Sequence, residues 1–441
     1  MNSKKEGMPM QSEKRTGYVP KLRFPEFLGE AEWKFVPLNK LAKRCTQKNR
    51  SGAITRVLTN SAEHGVVDQR DYFDKDIATQ GNLESYYVVK KGDYVYNPRI
   101  STRAPVGPIS KNNVATGVMS PLYSVFRFDD SNNDFYAYYF KTTGWHQYMR
   151  QASSTGARHD RMAITNDDFM AMPLPVSTPK EQQKIADCLA TLDECLGLAS
   201  KNLSELRAHK KGLMQQLFPA EGETVPTLRF PEFLDAGEWD VTHLSELIAS
   251  LDAGVSINSG DRPAMSDEFG VLKTSAVTNG VFEPQENKVV SDAAELGRAK
   301  ELVQGDTIII SRMNTPALVG ANAYVETDLD NIFLPDRLWA AKPKPGTSMR
   351  FIACILGSAK GRAALSKLAK GSSGSMKNIT KAEVLSLSIM VPSPTEQQRI
   401  ADCLGGLDAL ITAATLKFEA LKRHRRGLMQ QLFPSTTEVH E

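Results

Sequence analysis

Residues 178–219 read TPKEQQKIADCLATLDECLGLASKNLSELRAHKKGLMQQLFP, and residues 393–434 read SPTEQQRIADCLGGLDALITAATLKFEALKRHRRGLMQQLFP. The second stretch repeats the first without a gap, so that Glu181 corresponds to Glu396. A repeat of this length within one chain indicates a tandem duplication.

Both copies carry the signals of a long helix with defined ends. A Ser or Thr can cap the first turn, Pro stands at the first helical position, and Glu three residues after the cap closes a capping box. A second Pro ends the helix. The corresponding residues are Thr178 and Ser393, Pro179 and Pro394, Glu181 and Glu396, and Pro219 and Pro434. We therefore predict long helices over residues 178–219 and 393–434.

Between these limits the apolar residues recur at alternating steps of four and three. This 3.5-residue period is typical of a coiled coil. The first seam consists of Ile185, Leu189, Leu192, Leu196, Ala199, Leu203, Leu206, Leu213 and Leu217. The second seam consists of Ile400, Leu404, Leu407, Ile411, Ala414, Phe418, Leu421, Leu428 and Leu432. A charged residue, Lys210 or Arg425, interrupts each seam once.

Two matching seams in one chain are expected to pair with each other. An antiparallel register lets small side chains face large ones where both seams narrow. It places Ala199 opposite Phe418, and Leu203 opposite Ala414. The two charged residues then face leucines, and either their stems cover the seam while the charge reaches water, or they set the register or contact a partner. The alternative is that each helix caps its own globular domain.

The composition is that of a globular protein with two or three domains. The chain has 441 residues and a formal net charge of +3, which is too small by itself to indicate nucleic-acid binding. No apolar run is long enough to span a membrane, and residues 1–20 lack the apolar core of a signal peptide. The five cysteines include no C-x-x-C pair, which favours a reduced cytoplasmic protein.

A second duplication precedes the helices. Residues 22–42 read LRFPEFLGEAEWKFVPLNKLA, and residues 228–248 read LRFPEFLDAGEWDVTHLSELI. These leaders are too aromatic for free linkers and predict packed entries to two domains. The predicted division is a disordered tail (1–20), a first globular domain (21–177), the first helix (178–219), a second globular domain (220–392), the second helix (393–434) and a tail (435–441).

The two bodies that follow the leaders differ in sequence but share landmarks. KKGDYVYNPR (90–99) corresponds to VQGDTIIISR (303–312), each a Gly-Asp turn, a β-rich run and an arginine. Gly107 and Gly320 follow at the same spacing. Helix-like stretches come later, over residues 134–150 and 349–370. Helices are too few for regular βαβ alternation, so mixed α/β bodies with mainly antiparallel strands are predicted.

The sequence lacks catalytic motifs. It contains no G-x-x-x-x-G-K-[ST] loop for ATP and no Gly-rich cofactor loop, and its seven histidines show no metal-ligand spacing. NPRI, which begins at Asn97, lacks the second proline and the aromatic residue of the N-P-P-[YF] motif of amino-methyltransferases. The residues therefore give almost no local support for an enzyme.

The C-terminal halves of both predicted helices are basic. A solvated helix face explains this charge as well as a phosphate-binding or acid-binding role does. The residues concerned are Lys201, Arg207, Lys210 and Lys211, and then Lys417, Lys422, Arg423, Arg425 and Arg426.

Taken together, these features resemble the specificity subunit of type I restriction–modification systems. The resemblance rests on the twin helix starts VSTPKEQQKIADCL and PSPTEQQRIADCL, the twin LRFPEF leaders and the twin GLMQQLFP helix ends. It covers nearly the whole chain. The motifs are specific because they occur twice, around two dissimilar bodies.

The resemblance implies an α+β fold in which two target-recognition domains are joined by an antiparallel coiled coil with pseudo-twofold symmetry. Each domain would read one half of a bipartite site in double-stranded DNA, and the coiled coil would fix the spacer. The subunit itself would be non-catalytic and would bind no cofactor or metal. Two methyltransferase subunits, which use S-adenosylmethionine, and restriction subunits, which use ATP with Mg, would dock on it. The expected location is the prokaryotic cytoplasm, on DNA.

The candidate DNA contacts are polar residues in glycine-flanked loops. Arg suits bidentate contacts to guanine and Asn suits adenine, whereas Ser and Lys more often hold phosphate. In the first domain they are Arg99, Ser101, Thr102, Arg103, Arg158, His159 and Arg161. In the second they are Arg312, Asn314, Ser372, Ser373, Ser375, Lys377 and Asn378. Because Arg99 and Arg312 occupy equivalent positions, a structural ion pair explains them equally well.

Two other classes of function compete with this interpretation. A single-chain methyltransferase or nuclease would need motifs that the sequence lacks, and the methyltransferase would bind S-adenosylmethionine alone. A purely structural coiled-coil protein would not bind DNA even with partners present, and it leaves the divergent bodies unexplained. A DNA-recognition and scaffold subunit accounts for both the repeated helices and the divergent bodies.

Overall fold

A computed structural model describes residues 17–72, 80–153, 160–370 and 376–434. The chain forms two compact units, one from residues 1–200 and 417–441 and the other from residues 201–416. Two 39-residue helices run over Pro179–Leu217 and Pro394–Leu432, within two residues of the predicted bounds. Each unit contains the first part of one long helix and the last part of the other. The alternative in which each long helix caps only its own domain is therefore wrong.

The first unit combines short strands with short helices. Its strands are β1 (Gly17–Tyr18), β2 (Trp33–Pro37), β3 (Ala42–Arg44), β4 (Leu58–Ser61), β5 (Gly65–Asp68), β6 (Tyr87–Val89), β7 (Tyr94–Tyr96), β8 (Ile109–Lys111), β9 (Gly117–Met119), β10 (Ser124–Phe128) and β11 (Pro173–Val176). Its helices are α1 (Gln69–Tyr72), α2 (Asp134–Tyr139), α3 (His146–Ala152), α4 (Asn166–Met170) and the first part of α5 (Pro179–Leu217).

The sheets of the first unit are antiparallel, which confirms the predicted pairing. The largest sheet has the order β3-β10-β7-β8, and the sheet β1-β2-β11 joins the leader to the strand before α5. Two further two-stranded sheets are β4-β5 and β6-β9. The core between them is aromatic: Trp33, Tyr94 and Phe126 are fully buried, and the rings of Tyr94 and Phe126 stack at 5.6 Å.

The second unit has the same kind of architecture with different sheets. Its strands are β12 (Asp240–His243), β13 (Ile248–Ala253), β14 (Gly270–Leu272), β15 (Asn287–Val289), β16 (Leu302–Val303), β17 (Thr307–Ser311), β18 (Met313–Asn314), β19 (Asn322–Val325), β20 (Leu329–Phe333), β21 (Leu338–Pro343), β22 (Lys377–Asn378) and β23 (Ser388–Val391). Its helices are α6 (Leu244–Leu247), α7 (Ala293–Arg298), α8 (Met349–Gly357), α9 (Ala359–Lys367), α10 (Lys381–Leu385) and the first part of α11 (Pro394–Leu432).

Two four-stranded sheets form the body of the second unit, in the orders β13-β21-β17-β19 and β15-β14-β20-β16. The two-stranded pairs β12-β23 and β18-β22 complete it. Strands β14 and β20 run parallel, and the other paired strands of this unit are antiparallel. Strand β17, which follows the Gly-Asp landmark, is buried along its whole length.

The glycines that the two bodies share are required by their backbone. Gly107 has φ +81°, and a Cβ there would lie 2.1 Å from the carbonyl oxygen of Asn97. Gly320 has φ +73°, and a Cβ there would lie 2.8 Å from the Cβ of Leu365. Both combine a left-handed conformation with close packing, which only glycine tolerates without strain.

The seam positions of both long helices are buried or half-buried along their whole length. In the first unit, Ile185 and Leu189 of α5 share a core with Leu432 of α11. In the second unit, Leu217 of α5 shares a core with Leu404 of α11. The start of one helix thus packs on the end of the other, and the pairing is antiparallel in each unit. Among the described residues, no helix combines the length and the apolar character needed to cross a bilayer.

Charged pairs join the two helices where the seams are interrupted. In the second unit, Lys210 Nζ lies 2.5 Å from Asp408 Oδ1. In the first unit, Arg425 donates to both carboxylate oxygens of Asp193. The four residues occupy equivalent positions of the repeat. The long cationic side chains therefore neither point freely into water nor leave an unpaired charge in the seam.

Reversing one charge of such a pair is expected to weaken the helix contact. We expect Lys210→Asp to lower the free energy of unfolding of the second unit, because two carboxylates would then meet in a half-buried seam. The double variant Lys210→Asp/Asp408→Lys is expected to recover most of the loss, with a coupling energy of up to about 1 kcal/mol. Urea denaturation of the four chains of this cycle measures the coupling. Additive effects of the two substitutions would contradict it.

A buried ion pair fastens the leader of the first unit to the start of α5. Arg23 donates to both carboxylate oxygens of Glu181, at 2.7 and 2.9 Å, and Trp33 Nε1 donates to the same carboxylate at 3.0 Å. The hydrogen bond to Glu181 raises the pKa of Arg23. The backbone nitrogen of Leu22 donates to Gln431 O at the end of α11. We call this arrangement of Arg23, Trp33 and Glu181 the first leader latch.

The second unit repeats the latch with its own leader. Arg229 donates to both carboxylate oxygens of Glu396, at 2.7 Å each, and both side chains are almost fully buried. The backbone nitrogen of Leu228 donates to Gln216 O at the end of α5. Each leader therefore holds the beginning of one long helix and the end of the other, and we call the pair of Arg229 and Glu396 the second leader latch.

The structure changes two predictions from the sequence, one on the capping boxes and one on the N-terminal tail. Thr178 Oγ1 accepts from the backbone nitrogen of Glu181 at 3.4 Å, but the Glu181 carboxylate binds the leader, so the capping box is not reciprocal. The same holds for Ser393 and Glu396. In addition, Gly17–Tyr18, assigned to the disordered tail, form β1, because Tyr18 pairs with β2 and its ring packs on Trp33 at 5.9 Å. Residues 1–16 and 435–441 lie outside the described residues.

Each of the two helix-like stretches divides into two helices. Residues 134–150 contain α2 and the start of α3, which are separated at Gly144, where a Cβ would lie 2.6 Å from Pro434 O. Residues 349–370 contain α8 and α9, because Ser358 ends the first helix and its hydroxyl accepts from Gly361 N at the start of the second. A local capping residue and a close backbone contact interrupt the apolar pattern in these places.

Candidate nucleic-acid interface

In the first unit, the structure brings together two of the predicted contacts, Arg99 and Arg161. They are partners in an isolated antiparallel bridge. Ile100 N donates to Asp160 O at 3.0 Å, and Met162 N donates to Pro98 O at 2.9 Å. Arg99 is exposed and Arg161 is half-buried. The bridge holds two cationic residues side by side on neighbouring backbone segments.

A concave surface with a volume of about 370 Å³ adjoins this bridge. Arg99, Ser101 and Arg161 line it. So do polar residues that the sequence did not single out, among them Thr59, Gln69, Ser120 and Tyr123. The hydroxyl oxygens of Tyr123 and Thr59 lie 3.0 Å apart. The surface thus offers two cations and several hydroxyl and amide groups, which suits contacts to both phosphates and base edges.

Two other predicted residues of this loop, Ser101 and Arg103, form contacts within the first unit. Ala104 N donates to both the carbonyl and the hydroxyl oxygen of Ser101, at 3.1 Å each, so Ser101 closes a turn. Thr102 is exposed within that turn. Arg103 forms an ion pair with Glu63 at 2.5 Å and holds the pKa of that carboxyl below its usual value.

In the second unit, four predicted residues meet at one small ribbon. Strands β18 and β22 pair Met313 with Asn378 and Asn314 with Lys377. Ile379 N donates to Arg312 O at 3.0 Å and continues this pairing. The ribbon corresponds to the Arg99–Arg161 bridge of the first unit, because each follows the strand after the Gly-Asp landmark.

Arg312 is held mainly by packing. Its guanidinium carbon lies 5.9 Å from the ring centre of Trp339, and Lys381 Nζ lies 6.0 Å from the same ring. The described residues contain no ion pair of Arg312 or Arg99 with a carboxylate. The alternative that these two arginines form structural ion pairs is therefore not supported among these residues. Trp339 and Lys381 carry no sequence signal that would have placed them beside Arg312.

The two asparagines of the ribbon also have structural bonds. Asn314 Nδ2 donates to Ser311 Oγ at 3.3 Å, and its Oδ1 accepts from Thr315 N at 2.8 Å. The backbone of Asn378 exchanges two hydrogen bonds with Lys370, at 2.9 and 3.0 Å. Lys377, beside them, is half-buried.

Five predicted contacts lie outside the described residues. They are Arg158, His159, Ser372, Ser373 and Ser375. Both segments to which they belong lead directly into a described pairing, at Arg161 in the first unit and at Lys377 in the second.

Comparisons with known proteins point to one family. The family model for the type I restriction modification DNA specificity domain matches residues 236–422. The chain is 30% identical over 101 residues to the type I restriction enzyme EcoEI specificity subunit of Escherichia coli, a match that covers 23% of this chain and 17% of that protein. It is 24% identical over 324 residues to the MjaVIII specificity subunit of Methanocaldococcus jannaschii, which covers 70% of this chain and 71% of that one.

The fold agrees with a solved structure of the same kind. The S subunit of a type I restriction–modification system from M. genitalium matches with a TM-score of 0.60 and 15% identity, over 95% of this chain and 99% of that chain. This likeness concerns the fold alone. In sequence, residues 236–422 match the type I restriction modification DNA specificity domain, and the chain is similar over 324 residues to a type I restriction enzyme specificity subunit.

Proposed function

We propose that this chain reads a bipartite DNA sequence for a type I restriction–modification complex and holds the other subunits of that complex. The duplication is the observation that supports this most strongly. Two divergent bodies are attached by equivalent latches to equivalent long helices. A repeated scaffold with different bodies is what the recognition of two different half-sites at a set separation requires.

The DNA contacts belong to the two surfaces around the strand pairs. In the first body, Arg99 and Arg161 are the main contacts, and Arg158, His159, Ser101, Thr102 and Arg103 are further candidates. In the second body, Lys377 and Asn314 are the main contacts, and Ser372, Ser373 and Ser375 are further candidates. Arg312 and Asn378 shape the ribbon, because their bonds and packing lie within the unit.

The long helices act as the ruler between the half-sites, since a helix pair transmits distance better than a flexible linker. Two methyltransferase subunits, which bind S-adenosylmethionine, dock on this scaffold, and restriction subunits, which use ATP with Mg, join them. This chain supplies recognition and carries out no catalytic step. Its place of action is on DNA in the cytoplasm.

Methylation-sensitive sequencing of the host genome, with and without the gene for this chain, tests the proposal. We expect adenine methylation at a gapped two-part motif to disappear on deletion, which would also identify both half-sites. If every methylated motif persists in a strain shown to express this chain and its partner subunits, the proposed function is wrong.

Substitutions on the two surfaces should affect different half-sites. Arg161→Ala is expected to weaken binding of the assembled complex to its DNA by about 1–3 kcal/mol and to remove the penalty for scrambling one half-site. Lys377→Ala should act on the other half. Fluorescence anisotropy with intact and half-scrambled duplexes measures both effects.

The matched control is Lys43→Ala, which removes an exposed cation of the first unit that pairs with Asp129 and does not line the concave surface. We expect it to leave both scrambling penalties unchanged. A uniform loss on every duplex for Arg161→Ala would assign this residue to phosphate. No loss at all would remove it from the interface.

A further inference from the structure

The same eight residues, GLMQQLFP, end both long helices but have different surroundings. In the first unit, Phe433 is 1% exposed and packs against Phe135 and Tyr139, with ring centres 5.1 and 6.1 Å away. In the second unit, the equivalent Phe218 stays half-buried, as does Met214. The aromatic helix α2 covers the end of α11 completely. At the end of α5, Phe218 meets the rings of Phe351 in α8 and of Trp239, at 5.6 and 6.0 Å, but stays half-buried.

The space left in the second unit is a groove of about 720 Å³. Met214 and Phe218 form one wall, Ile355 and Ala364 of α8 and α9 form another, and Met390 of β23 also lines it. The volume lies in the range of about 300–1,000 Å³ that is typical of binding pockets. All of these residues belong to the second unit, so the groove is a feature of that unit alone.

The rim of the groove is cationic. Arg207, Lys211 and Lys360 line it and are exposed. None of these three forms an ion pair with a carboxylate among the described residues. Lys210, which also lines the groove, is paired with Asp408. An apolar cleft with unneutralised cations at its edge suits a ligand that is apolar on one side and acidic beside it.

We propose that this groove binds an amphipathic helix of a partner protein, with its apolar face in the groove and its Asp or Glu residues against Arg207, Lys211 and Lys360. Apolar side chains at i, i+3, i+4 and i+7 of a short helix would fill such a cleft. Duplex DNA would use the cations but gain nothing from the apolar walls. At the equivalent helix end of the first unit, Met429 and Phe433 are buried, so these two side chains do not offer the same apolar wall.

The test uses the purified methyltransferase and restriction subunits as probes, a choice that rests on the proposed function. Lys211→Glu reverses a rim charge, and Ala364→Trp fills the groove with an indole ring. The control Arg426→Glu changes the repeat equivalent of Lys211, which is exposed in the first unit. Calorimetric titration of the full-length chain measures the affinity for each subunit, and anisotropy measures the affinity of the complex for DNA.

We expect both groove variants to bind one of the two subunits at least about tenfold more weakly, a change of about 1.4 kcal/mol, with unchanged DNA affinity. The control should bind like the wild type. If the wild-type chain binds a subunit and both groove variants bind it equally well, the groove proposal alone is overturned. A loss confined to DNA affinity overturns it in favour of a phosphate contact. If the wild-type chain binds neither subunit, both this proposal and the proposed scaffold function are overturned.

Discussion

Arg23→Ala is expected to destabilise the first unit by about 3–5 kcal/mol, because it leaves the fully buried Glu181 carboxylate without its cation. The bond from Trp33 Nε1 remains, but one neutral donor does not balance a buried charge. Since Glu181 starts α5 and the leader also binds the end of α11, the loss should loosen the body from both helices. Urea denaturation, followed through tryptophan fluorescence, measures the change.

Three variants make this expectation specific to the latch. Arg229→Ala should destabilise the second unit instead, because it breaks the equivalent pair with Glu396. Arg23→Met/Glu181→Leu should recover much of the stability, because the pair is replaced by apolar side chains of similar size. Lys184→Ala removes an exposed pair with Glu26 and should change little. A loss below about 1 kcal/mol for Arg23→Ala would show that water reaches Glu181 and that the latch is not closed in solution.

The second large effect concerns DNA recognition. Insertion of seven residues after Ser200 in α5 and another seven after Leu416 in α11 is expected to lengthen the spacer of the recognised motif by about three base pairs. Seven residues extend a helix by about 10.5 Å, and a base pair rises about 3.4 Å along DNA. A whole heptad keeps the seam residues in phase, so the helices can still pair. The motif methylated in a host that carries this variant measures the spacer.

Two controls separate the ruler from simple disruption. A heptad inserted in α5 alone should abolish assembly, because the seven inserted residues of α5 then have no partners in the seam of α11. Five residues inserted in both helices should do the same, because they turn each helix by about 140° beyond a whole turn and so move the seams away from each other. An unchanged spacer in an active double-heptad variant would show that the helix pair does not set the distance between half-sites.

The sequence motifs contain both partners of each leader latch but do not predict that they bind each other. Both partners stood in the duplicated motifs, with Arg23 and Arg229 in the leaders and Glu181 and Glu396 at the helix starts. Local rules assigned the glutamates to capping boxes, since a Glu three residues after a Ser or Thr satisfies that pattern. The contact between Arg23 and Glu181 joins residues 158 positions apart, and the spacing of the motifs does not predict it.

The candidate interface was predicted in part for a related reason. Polar, glycine-flanked segments drew attention to Arg99, Arg161 and Lys377, and the strand pairing brought them onto two surfaces. It was not evident from the chain that Arg312 would pack on Trp339, or that Thr59 and Tyr123 would line the concave surface. These are long-range contacts, and the spacing of the residues along the chain does not indicate them.

The sequence by itself determined the tandem duplication, the two long helices, their seams and the antiparallel α+β bodies. Each of these depends on a period or a repeat that local backbone geometry imposes, and such patterns are written in consecutive residues. Only the tertiary structure decided that each unit takes parts of both helices, that the helix-start glutamates bind arginines, and that the two GLMQQLFP ends are buried to different extents. The two copies of GLMQQLFP are identical in sequence but have different neighbours, because burial depends on which residues the rest of the fold packs against them.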